Sequence, residues 1–185
     1  MDVTERKRAD RLKSIRLGVS SILSRSGKTE PAIEEILGAF GTELGWACGE
    51  YWHLNAEGRK LVSQSHWARP GDEPAAGFIA ASARLALDPG AGLPGRAWSS
   101  KKAFWTTVLL DEEGFQRAEE ARAAGFSSAL AVPVPVEDDV LGVILLFGRS
   151  TRQADQEMLG ALYEVGRQIG DFVTRKGLEA ELEEE

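Results

Sequence analysis

The chain has 185 residues (20.1 kDa), 43% of them hydrophobic and 28% charged, a composition that folds as one ordinary domain instead of staying disordered. Its single cysteine, Cys48, excludes an internal disulfide and a multi-cysteine zinc site, and two histidines, His53 and His66, are too few for a His-rich metal centre. A net charge of −7 argues against nucleic-acid binding, no apolar run approaches the ~20 residues that span a bilayer, and the charges scattered through Met1 to Arg16 argue against a secretory signal, so the expected location is the cytoplasm.

Residues 1–28 are net basic and residues 151–185 net acidic. At the start, Leu12, Ile15, Val19 and Ile22 recur at steps of three and four, which predicts an amphipathic helix over 4–24. Thr29 is a candidate N-cap, and Ala32, Ile33, Ile36, Leu37 and Phe40 continue a second helix that Gly41 or Gly45 ends. The period then switches to two. Trp46–Leu54 and Lys60–Trp67 read as strands joined by the turn Asn55-Ala56-Glu57-Gly58. Ala75–Leu87 is helical in period, and a short helix through Trp98 follows the breakers Pro89-Gly90 and Gly92-Leu93-Pro94-Gly95. Phe104–Leu109 reads as a strand and Asp111–Ala124 as a helix closed by Gly125. A second hairpin joins Ser128–Val136 to Val140–Phe147 across Glu137-Asp138-Asp139.

The last helix, predicted over 153–178, carries Met158, Leu162, Val165, Ile169 and Phe172 on one stripe, and the Glu-rich end 179–185 reads as a solvated, frayed tail. Opposite charges favour packing the two terminal helices together, within one chain or across a dimer through Leu12, Ile15, Val19, Ile22, Leu162, Val165 and Ile169. The same stripes could equally cover the chain's own sheet. Strands joined by short turns pair antiparallel, so the fold class is α+β with one antiparallel sheet between helical layers. No repeat and no low-complexity linker points to a second domain.

Several stretches, in order, resemble the GAF domains of bacterial sensory and signal-transduction proteins, which are related in architecture to PAS domains. These are Leu44-Gly45-Trp46, Trp52-His53-Leu54-Asn55, the run Pro89–Trp98, Phe115 with Arg117, Gly125–Val134, and Val140-Leu141-Gly142-Val143-Ile144. The resemblance covers roughly residues 29–174, leaving 1–28 as a signalling or dimerisation helix and 175–185 as an acidic helical tail. It implies a sheet of about five to six strands. Long terminal helices, often dimeric, would lie on one face, and short helices would cap a ligand pocket on the other.

What such a pocket holds has to come from the residues. The cyclic-nucleotide pattern of the family needs an Asn-Lys pair, but Ala56 follows Asn55, the only asparagine. Cys48 lies in a strand with no adjacent histidine, unlike a bilin attachment site, and fits a small buried hydrophobe better. Haem would need His53 or His66 as an axial donor, and His66 reads more simply as a polar strand-end residue. No cofactor is therefore expected. A branch of the fold reduces free methionine sulfoxide with several cysteines; one cysteine cannot run that cycle, and two histidines near the first hairpin make no catalytic triad, so no enzyme is expected.

What remains is a non-covalent site for an unidentified small molecule, with a separate protein as effector. By alternation Trp46, Cys48, Glu50, Trp52 and Leu54 share one face of the first strand. The resemblance turns Glu50 toward the pocket, where it would need Arg96, a cationic or hydroxyl-bearing ligand, or water at the sheet edge. Trp52, Trp67, Trp98 and Trp105 supply aromatic walls for the pocket or an ordinary core. Arg96, opening a short helix after Gly95, could hold a carboxylate or phosphate. His66 and Ser128 complete the candidate set.

Overall fold

A computed structural model describes residues 2–150 and 155–184; the first two residues of the helix expected over 153–178 lie outside the described residues. The elements run α1 (Val3–Arg25), α2 (Thr29–Leu44), β1 (Cys48–Leu54), β2 (Leu61–Ala68), α3 (Glu73–Ser82), β3 (Ala86–Leu87), α4 (Gly92–Ser100), β4 (Phe104–Thr106), a 3₁₀ turn (Leu109–Asp111), α5 (Ala118–Ala124), β5 (Ser128–Val136), β6 (Asp139–Gly148) and α6 (Gln156–Glu184). The strands form one six-stranded antiparallel sheet in the order β3-β2-β1-β6-β5-β4. The long helices α1, α2 and α6 cover one face and α3, α4 and α5 the other, as the α+β reading expects.

Each face has its own core. On the long-helix face Ile15, Val19, Ile33, Leu37, Phe40, Val165, Ile169 and Phe172 pack on Tyr51, Leu130, Val132, Ile144 and Leu146. On the cap face Phe78, Leu93, Ala97 and Ala121 pack on Cys48, Trp52, Val143, Leu145 and Phe147. The seven stripe residues assigned to a dimer interface, Leu12, Ile15, Val19, Ile22, Leu162, Val165 and Ile169, are all buried within the single chain. The dimer expectation for those side chains is corrected: their apolar stripe is already used against the sheet and the neighbouring helices. The ends of the helices stand clear instead, with residues 2–11 and 177–184 exposed. Arg8 of α1 meets Asp155 at 3.2 Å and Ser20 bonds Gln168 at 3.5 Å, so α1 and α6 run parallel and their opposite charges do meet.

Helix α6 lies close against β5 because it carries no side chain where it crosses. A Cβ at Gly170 would sit 2.1 Å from the Pro135 carbonyl oxygen, and one at Gly166 2.5 Å from that of Pro133. Prolines in β5 leave no N–H on those residues for the ladder, and the glycines let the helix cover them.

Several element boundaries differ from the sequence reading, the largest for local reasons. The helix expected over 75–87 ends at Ser82, whose hydroxyl turns back to the Phe78 carbonyl at 3.3 Å, and Ala86 and Leu87 pair with β2 as an edge strand. The strand expected over 104–109 stops at Thr106, whose hydroxyl takes the Val108 N–H at 3.1 Å. The helix expected over 111–124 begins only at Ala118, because Gly114 adopts a left-handed backbone (φ 78°) and Glu112 is drawn off to Arg96 and Thr106. Trp46 precedes β1 and packs in the long-helix core, opposite to the face its parity predicts.

Candidate functional site

Beneath the cap lies a buried ion pair. Glu50, in the middle of β1 and opposite Leu145 of β6 and His66 of β2, is fully inaccessible to solvent. Its Oε1 accepts from Arg117 Nη1 at 2.8 Å and from the Trp52 indole N–H at 3.4 Å. Arg117 stands at the N-cap of α5 and is 4% exposed. Its Nη1 also donates to the Ser82 hydroxyl, which in turn donates to Phe78 O.

Four rings enclose the guanidinium: Phe78, Trp52, Phe147 and Phe115, with centroids 4.5, 5.3, 5.4 and 5.9 Å from Cζ. Charge–quadrupole attraction to ring faces replaces part of the water that the cation has lost. The pair is incompletely satisfied, because Glu50 Oε2 is buried with no hydrogen-bond partner among the described residues. A buried carboxylate oxygen left unpaired is costly.

The candidates from the sequence divide. Glu50 and Trp52 do face the cap, side by side. Arg96 is not the partner of Glu50; it pairs with Glu112 at 2.7 Å and lies over Phe104 at 4.1 Å, so the residue proposed to hold an anion already holds a carboxylate. It lines an open cleft of ≈ 720 Å³ with Gly90, Gly92 and Gln116. Trp67 and Trp105 belong to the other face: Trp67 lies against Gly38 and Gly41 of α2, and Trp105 meets Trp46 at 5.5 Å between centroids. Trp98 is half-buried at the cap. His66 has the parity of Glu50 but is exposed near the end of β2. Ser128 is buried and spends its hydroxyl on the Ser150 carbonyl at 2.9 Å, the ordinary satisfaction of a strand end.

Arg117, Ser82, Phe78, Phe115 and Phe147 were not read as site residues. The available signal was Glu50 itself, since an acid at a core parity needs a partner once it is buried; nothing in the polar approach to α5, Asp111-Glu112-Glu113-Gly114-Phe115-Gln116, singles out Arg117. Burial, and secondarily the charge of Glu50, push the Cys48 thiol well above its ordinary range, which keeps the sulfur protonated and inert as a nucleophile.

A GAF domain family model matches residues 30–174. The chain belongs to the GAF domain family. Solved structures carry the same fold: the GAF domain of a phosphoenolpyruvate-protein phosphotransferase from Coxiella burnetii is 11% identical, with a TM-score of 0.78 over 93% of this chain and 98% of that one. A GAF domain from A. aeolicus in an inactive state is 20% identical, with a TM-score of 0.67 over 93% and 98%. A free methionine-R-sulfoxide reductase from Neisseria meningitidis, in complex with its substrate, is 12% identical, with a TM-score of 0.69 over 87% of each chain. Among curated proteins, none matches the sequence.

The reductase corrects one expectation. The sequence reading set catalysis aside, yet an enzyme stands among the structures to which this GAF domain is similar, so the exclusion of an enzyme is withdrawn. At that identity the likeness carries the fold and not the activity.

Proposed function

We propose that this GAF domain is a cytoplasmic sensory or regulatory module. In this reading it takes a small molecule non-covalently on the cap face of its sheet, at Glu50 and Arg117, and passes occupancy through α1 and α6 to a second copy or a separate effector. The observation that carries the reading is the half-satisfied ion pair: Glu50 Oε2 is buried without a partner, inside an aromatic enclosure, under three short helices. A buried polar group left open in this way calls for an explanation, and a ligand that supplies the missing bond is the one this reading adopts. The strand that carries Glu50, β1, and its neighbour β6 also carry Tyr51, Ile144 and Leu146 into the long-helix core. A ligand shifts that packing only by its differential affinity for two arrangements of the cap.

A second reading, a ligand-free dimerisation or protein-interaction module, is favoured by the cap's own rings. Trp52, Phe78, Phe126 and Phe147 are fully buried there, with Phe78 against Phe126 and Phe147 at 5.1 and 4.6 Å. Native mass spectrometry of freshly purified protein separates the two. The sensor predicts a non-covalent mass increment on wild type that Glu50→Leu/Arg117→Met lacks. Bare wild type that stays bare after incubation with a small-molecule cell extract overturns the sensor in favour of the module.

A further inference from the structure

Arg117 is bound in the cap much as a ligand would be. Its guanidinium has a carboxylate on one edge, a hydroxyl acceptor beside it and four aromatic rings around it. The tether spoils the fit. Nη1 makes both hydrogen bonds, while Nε and Nη2 make none among the described residues, and Glu50 Oε2 receives nothing. A guanidinium matches a carboxylate best through two parallel N–H donors on both oxygens, a geometry that adds strength and direction. Arg117 reaches Glu50 through one nitrogen only.

We infer that the cap site recognises a guanidino or amidino small molecule, which displaces the guanidinium of Arg117 from Glu50. The inference rests on the reading of this pair as the sensing site. A free guanidinium is not held by the backbone of α5, so it can turn to meet both Glu50 oxygens and satisfy Oε2. The exchange is neutral: one cation enters the enclosure and the other leaves for water, so no charge is buried unpaired. An anionic ligand would have to sit against Glu50. A neutral one would leave the four ring faces taken by Arg117.

The chain around Arg117 suits such an exchange. It lies in the turn between the 3₁₀ segment and α5, three residues after Gly114 with its left-handed backbone (φ 78°). Upstream, Glu112 is fixed by Arg96 at 2.7 Å and Thr106 at 2.5 Å. Movement is thereby confined to the stretch from Gly114 into α5, which turns an exchange of cations into a displacement of one cap helix.

Methylguanidinium chloride is the probe, at millimolar concentration and against sodium chloride of equal ionic strength. In Arg117→Ala, which vacates the enclosure, it is expected to raise the thermal midpoint by about 2–4 °C, and to do nothing for Glu50→Gln/Arg117→Ala. In wild type, methylguanidinium should produce a saturating shift of the Trp52 indole N–H resonance, because that group donates to Glu50; methylammonium should not. Equal midpoints in the two salts, or an equal rise in the double variant, overturn the inference. If Arg117→Ala does not fold, the wild-type titration decides alone, and indistinguishable responses to the two cations overturn it. A native mass increment that belongs to a compound with no guanidino or amidino group also overturns it while leaving the sensor standing.

Discussion

On one face of the sheet three long helices are held by aliphatic and aromatic burial, with Ile33, Val19 and Ile169 wholly inaccessible. On the other, three helices of seven to ten residues are pinned by arginine–carboxylate pairs: Glu50–Arg117, Arg96–Glu112 and a two-pronged Asp72–Arg149 contact at 2.7 and 2.8 Å. Arg149, at the end of β6, also donates to Ala124 O of α5, so a single side chain ties the start of α3 to the end of α5. Its guanidinium, bonded to Asp72, holds that carboxyl below the usual aspartate range. Apolar burial is non-directional and has no partner to exchange. Charged pairs are directional and can exchange partners, and the proposed sensing uses that difference: the cap would rearrange while the long-helix layer stays folded.

The largest expected effect tests the cap. Arg117→Met leaves Glu50 buried without its cation and should cost about 3–5 kcal/mol of unfolding free energy, whereas Glu50→Leu/Arg117→Met should return close to wild type. Chemical denaturation of the three proteins measures this, and a double variant as weak as the single one would mean that the pair is structural. Ile169→Ala in the long-helix layer should cost about 2–5 kcal/mol with no rescuing partner. It should leave any cap-bound mass increment in place, which native mass spectrometry of the folded variant checks.

The smallest effect lies at the edge of the long-helix layer. His53 meets the Tyr51 hydroxyl through Nδ1 at 2.9 Å, and burial lowers its pKa from the ordinary value. As pH falls below about 6.5 the unfolded chain takes up the proton first. His53 therefore subtracts stability progressively from there down to its folded pKa and adds no slope above. A His53→Asn variant should have a flatter thermal midpoint between pH 7 and pH 5 than wild type; matching slopes would contradict the assignment.

The fold was legible because its signals are local. Apolar strand runs at 48–54, 128–136 and 140–147 and period-3.6 stripes in α1 and α6 state which residues are apolar together, and turn residues such as Asn55, whose side chain takes the Arg59 and Lys60 N–H groups, state where the chain reverses. The site was half legible. Alternation along β1 placed Glu50 and Trp52 on one face, but the same rule misplaced Trp46, which lies before the strand begins. The tryptophans at 67 and 105 went to the opposite core because parity says which residues share a face and not which layer that face meets.

What the residues determined alone is the order of elements, the α+β plan of one sheet between helical layers and the place of Glu50 on a face where burial would demand a partner, since periodicity and the cost of burying a charge act within a few residues. Only the tertiary structure decided that the partner is Arg117, 67 positions away, and that the terminal stripes are consumed inside the chain. Both depend on how α5 and α6 dock on the sheet, and docking is set by long-range packing that no local pattern encodes.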